Sequence, residues 1–509
     1  MEYILAHDVG TSGCKAVLVS LDGTSGTGMQ VVATAYETYP TYYPQPTYAE
    51  QDVEDWWKGM VKATRRVLEQ SGIKPEQVLA LSFSTQMLNT IPVDRAGTPL
   101  RPCISWLDGR AWEEAGQVMG KLGGPSIFTM LVGAVLGGKD LLPKYLWLKR
   151  HEPHIYDKAA AFMDCSSFML YRTTGRLVYE WSVASVTGLF NMKSKTWDNT
   201  LIRLFGLDVG KYPELVRSID KVGGLLPEAA QQMGLLEGTP VYGGAGDAMC
   251  TGVGSGAVGD GEAHIALGTS GYIGVATSRK VTGRRGMATL QSADPSKLLL
   301  IGEGETVGAS LKWAVKELYG LEPSSKAYAH MDAQVDPVSP GSGSLIFTPW
   351  LYGERCPVPD ESVRAAFINL GANHNRDQMA RSVYEGVAYN FRWILDLIKE
   401  EHGFECQHLR AVGGGARGEP WLRILADVTG RTMEKTPFDQ EAAAVGAALI
   451  AAIGAGVCPS FDSVKSFVPV VKSFQADASL QETYQPLYQA YRKVYPALKE
   501  IYHSLNRAE

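Results

Sequence analysis

One four-residue turn occurs twice, once in each half of the chain, and each copy lies between two apolar runs. The first is Gly10-Thr11-Ser12-Gly13, inside the stretch YILAHDVGTSGCKAVLV from Tyr3 to Val19; the second is Gly268-Thr269-Ser270-Gly271, inside Val241 to Val275. Glycines allow the chain to reverse with φ above zero, and consecutive N–H groups in such a turn form a concavity suited to phosphate. A single copy reads most simply as a strand connection. Two copies, one opening each half, predict a chain of two related lobes. Each copy also has an acid beside it: Asp8 ends the first apolar strand, and Asp247 sits in GGAGDAMC ahead of the second turn. A triphosphate held between the lobes would meet one turn and one acid from each side, the acids being placed for a metal ion and for an attacking hydroxyl.

At 509 residues the chain exceeds one core and suits two domains of about 250 residues each. The boundary is expected close to Gly244, giving lobes 1–244 and 245–509. A net charge of −6 argues against nucleic acid as partner, because phosphate-backbone binding needs a basic face. The seven cysteines stand singly, with no C-x-x-C pair, which fits a reducing compartment better than a disulfide framework or zinc site. Met1-Glu2 runs straight into a strand without the segments of a signal peptide. Ala442 to Gly456 is too short to span a bilayer and reads as a buried helix. A cytoplasmic chain without a membrane partner is expected.

A polar turn is read at Asp22 to Gly28, then a strand at Val31 to Tyr39. Asp52 is the expected N-cap of an amphipathic helix with Val53, Trp56, Trp57, Met60, Val61, Thr64, Val67 and Leu68 on one face, ending near Gly72. Val78 to Phe83 is a buried strand that delivers Gln86, Met87 and Leu88 to its C-terminal end, where ligands gather in α/β sheets. Pro102 to Arg110, PCISWLDGR, brings Trp106, Asp108 and Arg110 together: a ring to stack on, with an acceptor and donors for hydroxyl groups. The alternative for Asp108 and Arg110 is a surface salt bridge. Later, Leu298 to Gly304 reads as strand and Val307 to Tyr319 as helix. AVGGGAR, Ala411 to Arg417, is a strand entering a glycine loop with a helix from Pro420, a general device for nucleotide contact.

The segments DVGTSGCKAVLV, GGAGDAMC with ALGTSG, YAEQDVEDWW, WLDGR, Lys144 with Trp147, and GGGA followed by Trp421 to Asp427 together resemble the FGGY carbohydrate kinases of the actin-like ATPase superfamily, most closely the xylulokinase branch. The resemblance covers nearly the whole chain. It implies an α/β fold of two actin-like, ribonuclease H-like lobes around a cleft, with ATP, Mg²⁺ and a small sugar or polyol as ligands and a homodimer as a family-level trait. It implies Asp247 as general base and Asp8 with Asp247 as metal ligands. Gly10, Thr11, Ser12, Gly13, Gly268, Thr269 and Ser270 would cradle phosphates, with Lys15 facing the transferred group. Gly308, Gly413, Gly414, Gly415, Ala416 and Arg417 would complete the nucleotide site, the last five against the adenosine. Gln86, Met87, Leu88, Trp106, Asp108, Arg110 and Asp247 would line the sugar pocket.

Several positions depart from the family pattern. Gln-Met-His-Gly is replaced by Gln86-Met87-Leu88-Asn89, Lys139 and Leu141 differ from the types expected in the first signature, and Asn369 stands where glycine is usual in the second. Leucine neither donates nor accepts, and a sugar hydroxyl left unpaired in a closed pocket costs about 1–3 kcal/mol. D-xylulose is thus the first of several acceptors, with ribulose, an alditol such as erythritol, or a deoxy-sugar as alternatives. An acetate-kinase-like phosphotransferase or bare ATPase, a silent nucleotide- or sugar-binding regulator, and an actin-like structural protein are the other readings.

Overall fold

The two turns occupy equivalent places in two sheets of the computed structural model, which describes residues 2–21, 28–124 and 136–506. The polar turn expected at Asp22 to Gly28 lies, Gly28 apart, outside the described residues. The first half contributes β1 (Tyr3–Val9), β2 (Gly13–Ser20), β3 (Gln30–Thr38), α1 (Val53–Ser71), β4 (Val78–Thr85), α2 (Leu141–His151), β5 (Pro240–Tyr242), β6 (Ala245–Gly246) and α3 (Asp247–Ser255). The second contributes β7 (Ala263–Leu267), β8 (Gly271–Thr277), β9 (Leu298–Gly304), α4 (Arg376–His402), β10 (His408–Val412), α5 (Glu419–Thr429), β11 (Thr432–Lys435) and α6 (Ala442–Gly454).

The first sheet runs β3-β2-β1-β4-β5, and the second runs β9-β8-β7-β10-β11. In each, the first three strands are antiparallel neighbours and the last three are parallel. The order and sense match strand for strand, so the repeat seen in two short turns extends to a whole ribonuclease H-like core. Local chemistry sets the helices. The Asp52 carboxylate caps α1 by accepting from Glu54 N at 2.9 Å, and Gly72, at φ 64°, ends it. Val53, Trp56, Trp57, Met60 and Val67 bury its apolar face, which lies mainly on β2 and β3 and touches β1.

The halves are joined where α3 crosses α6. A Cβ on Gly254 would fall inside the carbonyl oxygen of Ala442, and one on Gly446 inside that of Cys250. Backbone meets backbone there, and only hydrogen fits on either side. Beyond the crossing, α6 lies on the first sheet: Ala444, Val445, Ala447, Ala448 and Leu449 share a core with Ile4, Ala6, Val17 and Val19, and Leu299 and Ile301 of β9 close it. The small side chains of this buried helix serve the crossing and the other half's sheet. All seven cysteines are buried and unpaired. Among the described residues no helix is long and apolar enough to cross a membrane.

Gly254→Ala is expected to lower the free energy of unfolding by about 3 kcal/mol, the upper range for overpacking, because its methyl meets main chain that cannot rotate away. Urea denaturation of the variant against the parent measures this, and an unchanged midpoint would show the crossing to be looser than described.

Candidate active site

Three parallel strand ends bring the acids together. In register, Asp8 of β1 lies beside Ser84 of β4, while Ala245 and Gly246 of β6 lie beside Ser84 and Thr85 on the other side. Asp8 and the peptide ahead of Asp247 are thus two strand spacings apart, about 10 Å. Ser84 Oγ donates to Asp8 at 2.8 Å, and Asp247, the first residue of α3, accepts from Ala248 N at 2.7 Å. One acid from each half was expected; instead both belong to the first sheet, because β6 pairs with β4. Burial first, then the neighbouring charge of Asp8 and that of Glu303, pushes the Asp247 carboxyl up to about 7. Burial also raises Asp8, partly offset by the Ser84 hydrogen bond and the Lys15 charge.

The turns face this pair from two sides. Gly10 N donates to the Gly13 carbonyl at 3.0 Å, so Gly10 offers no donor to a ligand, and Thr11 and Ser12 form the tip. A Cβ on Gly13 would strike the Glu37 carbonyl and the Tyr36 ring. Gly268 and Thr269 are exposed at the second tip. Gly308 N donates to the Gly268 carbonyl at 2.9 Å, and Ala309 N to that of Thr269 at 3.0 Å. A Cβ on Gly308 would collide with the Gly268 carbonyl, so this glycine supports the turn from behind. Ser270 lies near Glu303 and partly offsets the burial that raises its carboxyl. The Lys15 ammonium donates to the Gln440 carbonyl at 2.7 Å and lies 4.0 Å from Glu441, bridging from the first sheet to the second half. In the last loop Gly413, at φ 90°, donates to the Asp439 carbonyl at 2.7 Å; Gly415 has no room for a side chain beside Trp421 and Leu267; Ala416 is buried; Arg417 pairs with Gln440; and Gly414 faces open space.

On the sugar side, Trp106 Nε1 donates to Thr11 Oγ1 at 2.8 Å, tying the pocket aromatic to the first turn. Gln86 Nε2 donates to Gln51 Oε1 at 3.0 Å, and Gln51 in turn donates to the Thr11 carbonyl at 2.7 Å. The Gln86 Oε1 atom is buried without a partner among the described residues. Met87 packs against Gly246 so closely that a Cβ there would overlap its sulfur. Leu88 adopts φ 60°, and its side chain leans on the apolar cluster of α2; its carbonyl accepts from Lys144 at 3.0 Å, and the same ammonium reaches the Ser105 carbonyl at 2.8 Å.

Asp108 and Arg110 require correction on both readings. They are not on the surface: their side chains are 0 % and 1 % exposed. Nor does Asp108 offer a free acceptor, since its oxygens take the Arg110 N, Nε and Nη2 and, at 2.6 Å, the Ala49 N. A carboxylate has about four lone-pair sites, and all are used. The Arg110 guanidinium continues to Glu50 at 2.7 Å and lies over the Tyr48 ring, 3.7 Å from its centroid. The pair braces the loop that presents Trp106. Glu50 escaped the sequence reading because its partner is distant in the chain. Glu303 and Arg355, 3.0 Å apart beside the second turn, escaped it too; an acid inside the apolar run of β9 was the available signal.

Among the described residues no three His, Cys, Asp or Glu side chains gather as a metal cage. Two half-buried carboxylates whose charges oppose each other suit a cation that takes one or two protein oxygens and otherwise keeps water and phosphate, the habit of Mg²⁺.

Models of the FGGY family of carbohydrate kinases match the chain over its length: the N-terminal domain over residues 3–254 and the C-terminal domain over residues 263–455. The chain belongs to this family, and is a phosphotransferase acting on an alcohol group with ATP as donor. It is 30% identical to the xylulose kinase of Bacillus subtilis over 490 residues, covering 96% of this chain and 95% of that one. It is 28% identical to the gluconokinase of the same organism, covering 92% and 90%. Among solved structures, a xyloylose kinase from Brucella ovis superposes with a TM-score of 0.87 at 27% identity, covering 98% of this chain and all of that one. The branch is xylulokinase-like.

Gly308→Ala should raise KM for ATP about tenfold, as expected for a turn displaced by a clash with main chain. Steady-state kinetics with ATP as the varied substrate test this; an unchanged KM would remove Gly308 from the nucleotide site.

Proposed function

We propose that the chain phosphorylates a hydroxyl of a small ketose, D-xylulose or a related pentulose, with Asp247 as general base. The observation that carries this is a pair of half-buried carboxylates at strand ends on either side of β4, faced by two glycine turns. One Asp247 oxygen takes the proton of the attacking hydroxyl as its oxygen bonds to the γ-phosphorus; the bridging bond to the β-phosphate breaks and ADP leaves with those electrons. Asp8, with Asp247 sharing, would hold Mg²⁺ directly or through water. That ion would supply positive charge against the phosphate oxygens. Thr11, Ser12, Gly268 and Thr269 cradle the phosphates, and Gly414 to Arg417 meets the adenosine. Water resembles a sugar hydroxyl as a nucleophile, so closure of the two lobes over the acceptor keeps it out. We place the enzyme in the cytoplasm, as a homodimer.

Asp247→Asn should lower kcat at least about a thousandfold while nucleotide still binds, and normal turnover by that variant would end the base assignment. In the parent, the base must be ionised. With its carboxyl raised to about 7, kcat/KM for ATP should climb as pH rises through that value and level above it. A profile flat between pH 5 and 8 would contradict this.

The acceptor turns on Leu88. Relatives named for xylulose and for gluconate both match over most of the chain, so overall similarity does not select it. Histidine tolerates the left-handed conformation of position 88 better than most residues and returns a donor. Leu88→His is expected to improve kcat/KM for D-xylulose about tenfold, within the cost of one unpaired hydroxyl. ADP release over ketopentoses, aldoses and alditols, for parent and variant, decides: no change at D-xylulose would take Leu88 out of the pocket, and no ADP with any acceptor would favour a silent binder.

A further inference from the structure

The segment Glu180 to Ser185 takes no part in the chemistry above, yet it reaches the peptide that carries Asp247. Gly246 N donates to Ser182 Oγ at 3.1 Å, and the same hydroxyl donates to the Glu180 carboxylate. Glu180 is buried, with Ser182 N at 2.8 Å and Val183 N at 3.2 Å on the same oxygen. Gly246 is thereby fixed from two sides: β6 pairs it with Thr85 on one, and Ser182 holds it on the other. Met87 leaves no space for it to drift toward the pocket. The peptide between Gly246 and Asp247 sets where α3 begins and where its first carboxylate points.

We propose that Ser182, oriented by Glu180, is a positioning residue for phosphoryl transfer, holding the main chain that aims Asp247 at the acceptor hydroxyl. Its hydroxyl has one hydrogen, and Glu180 takes it, so the oxygen lone pair is left facing the Gly246 N–H. Among the described residues, the hydrogen bonds of Ser182, to Glu180, Ser185 and Gly246, include neither turn and no side chain assigned to the pocket, so its loss should act on turnover and spare binding. The segment is also tied to the second half, because Gln291 N donates to Ser185 Oγ at 3.1 Å. This inference rests on the base assignment for Asp247.

The test uses the full chain. Ser182→Ala should lower kcat about tenfold, the effect of losing one buried hydrogen bond that orients a reacting group, with KM for ATP and for the acceptor within twofold of the parent. Ser182→Thr, which restores the hydroxyl, should recover most of kcat. Thr187→Val removes a buried hydroxyl just beyond the segment, one bonded only to Ala184 O and Leu189 N among the described contacts, and should leave kcat unchanged with a similar drop in melting temperature. A kcat within twofold of the parent for Ser182→Ala overturns the proposal, as does an equal fall in Thr187→Val or a threonine variant no better than alanine. If Asp247→Asn remains active, the base assignment itself fails; if it is inactive while Ser182→Ala is unimpaired, only the positioning role falls.

Discussion

Two glycines facing each other across a helix crossing are the constraint on which the arrangement depends. At Gly254 and Gly446 main chain touches main chain, and each helix is thereby delivered to its neighbour's territory: α6 covers the first sheet while α3 starts from it. Without that close approach the shared core could not include β1, β9 and α6 at once. The halves are therefore one interlocked structure whose cleft lies at the parallel strand ends.

Burial then gives the cleft its electrostatic character. Asp8 and Asp247 are drawn into low dielectric near each other, where a charged carboxylate is unfavourable and a second one more so. The sequence places the available counter-charges to one side: Lys15 is engaged by Gln440 and Glu441, and Arg355 by Glu303 and Glu305. The acids are left with hydrogen bonds from Ser84 and Ala248 rather than a salt bridge, a setting that suits a base needing a pKa near neutrality and a ligand set incomplete until phosphate arrives.

Features held by neighbours in sequence were legible beforehand. Asp52 and Gly72 bound a helix through contacts within a few residues, the turns are defined by their own glycines, and the core strands show as continuous apolar runs because both their faces are buried. The sheet order could be inferred only through the repeat. What escaped were contacts between distant segments. Asp108 and Arg110 looked like ligand groups because their partners, Ala49 and Glu50, come from the stretch just ahead of α1, some sixty residues away. Asp247 looked like the second lobe's acid because β6 is two residues long and carries no period. Glu180 caps a five-residue helix that holds Ser182, and nothing in the adjacent sequence pointed to Gly246.

The crossing has a mechanical consequence. Asp247 begins the helix that contains Gly254, and seven residues at 1.5 Å each put it roughly 10 Å from that pivot. If the halves rock about the glycine pair, the base sits near the fulcrum and travels little, while the rims of the cleft sweep a wide arc at the end of a long lever. Substrates can then be gathered by a large stroke without disturbing the aim of the carboxylate that receives the proton.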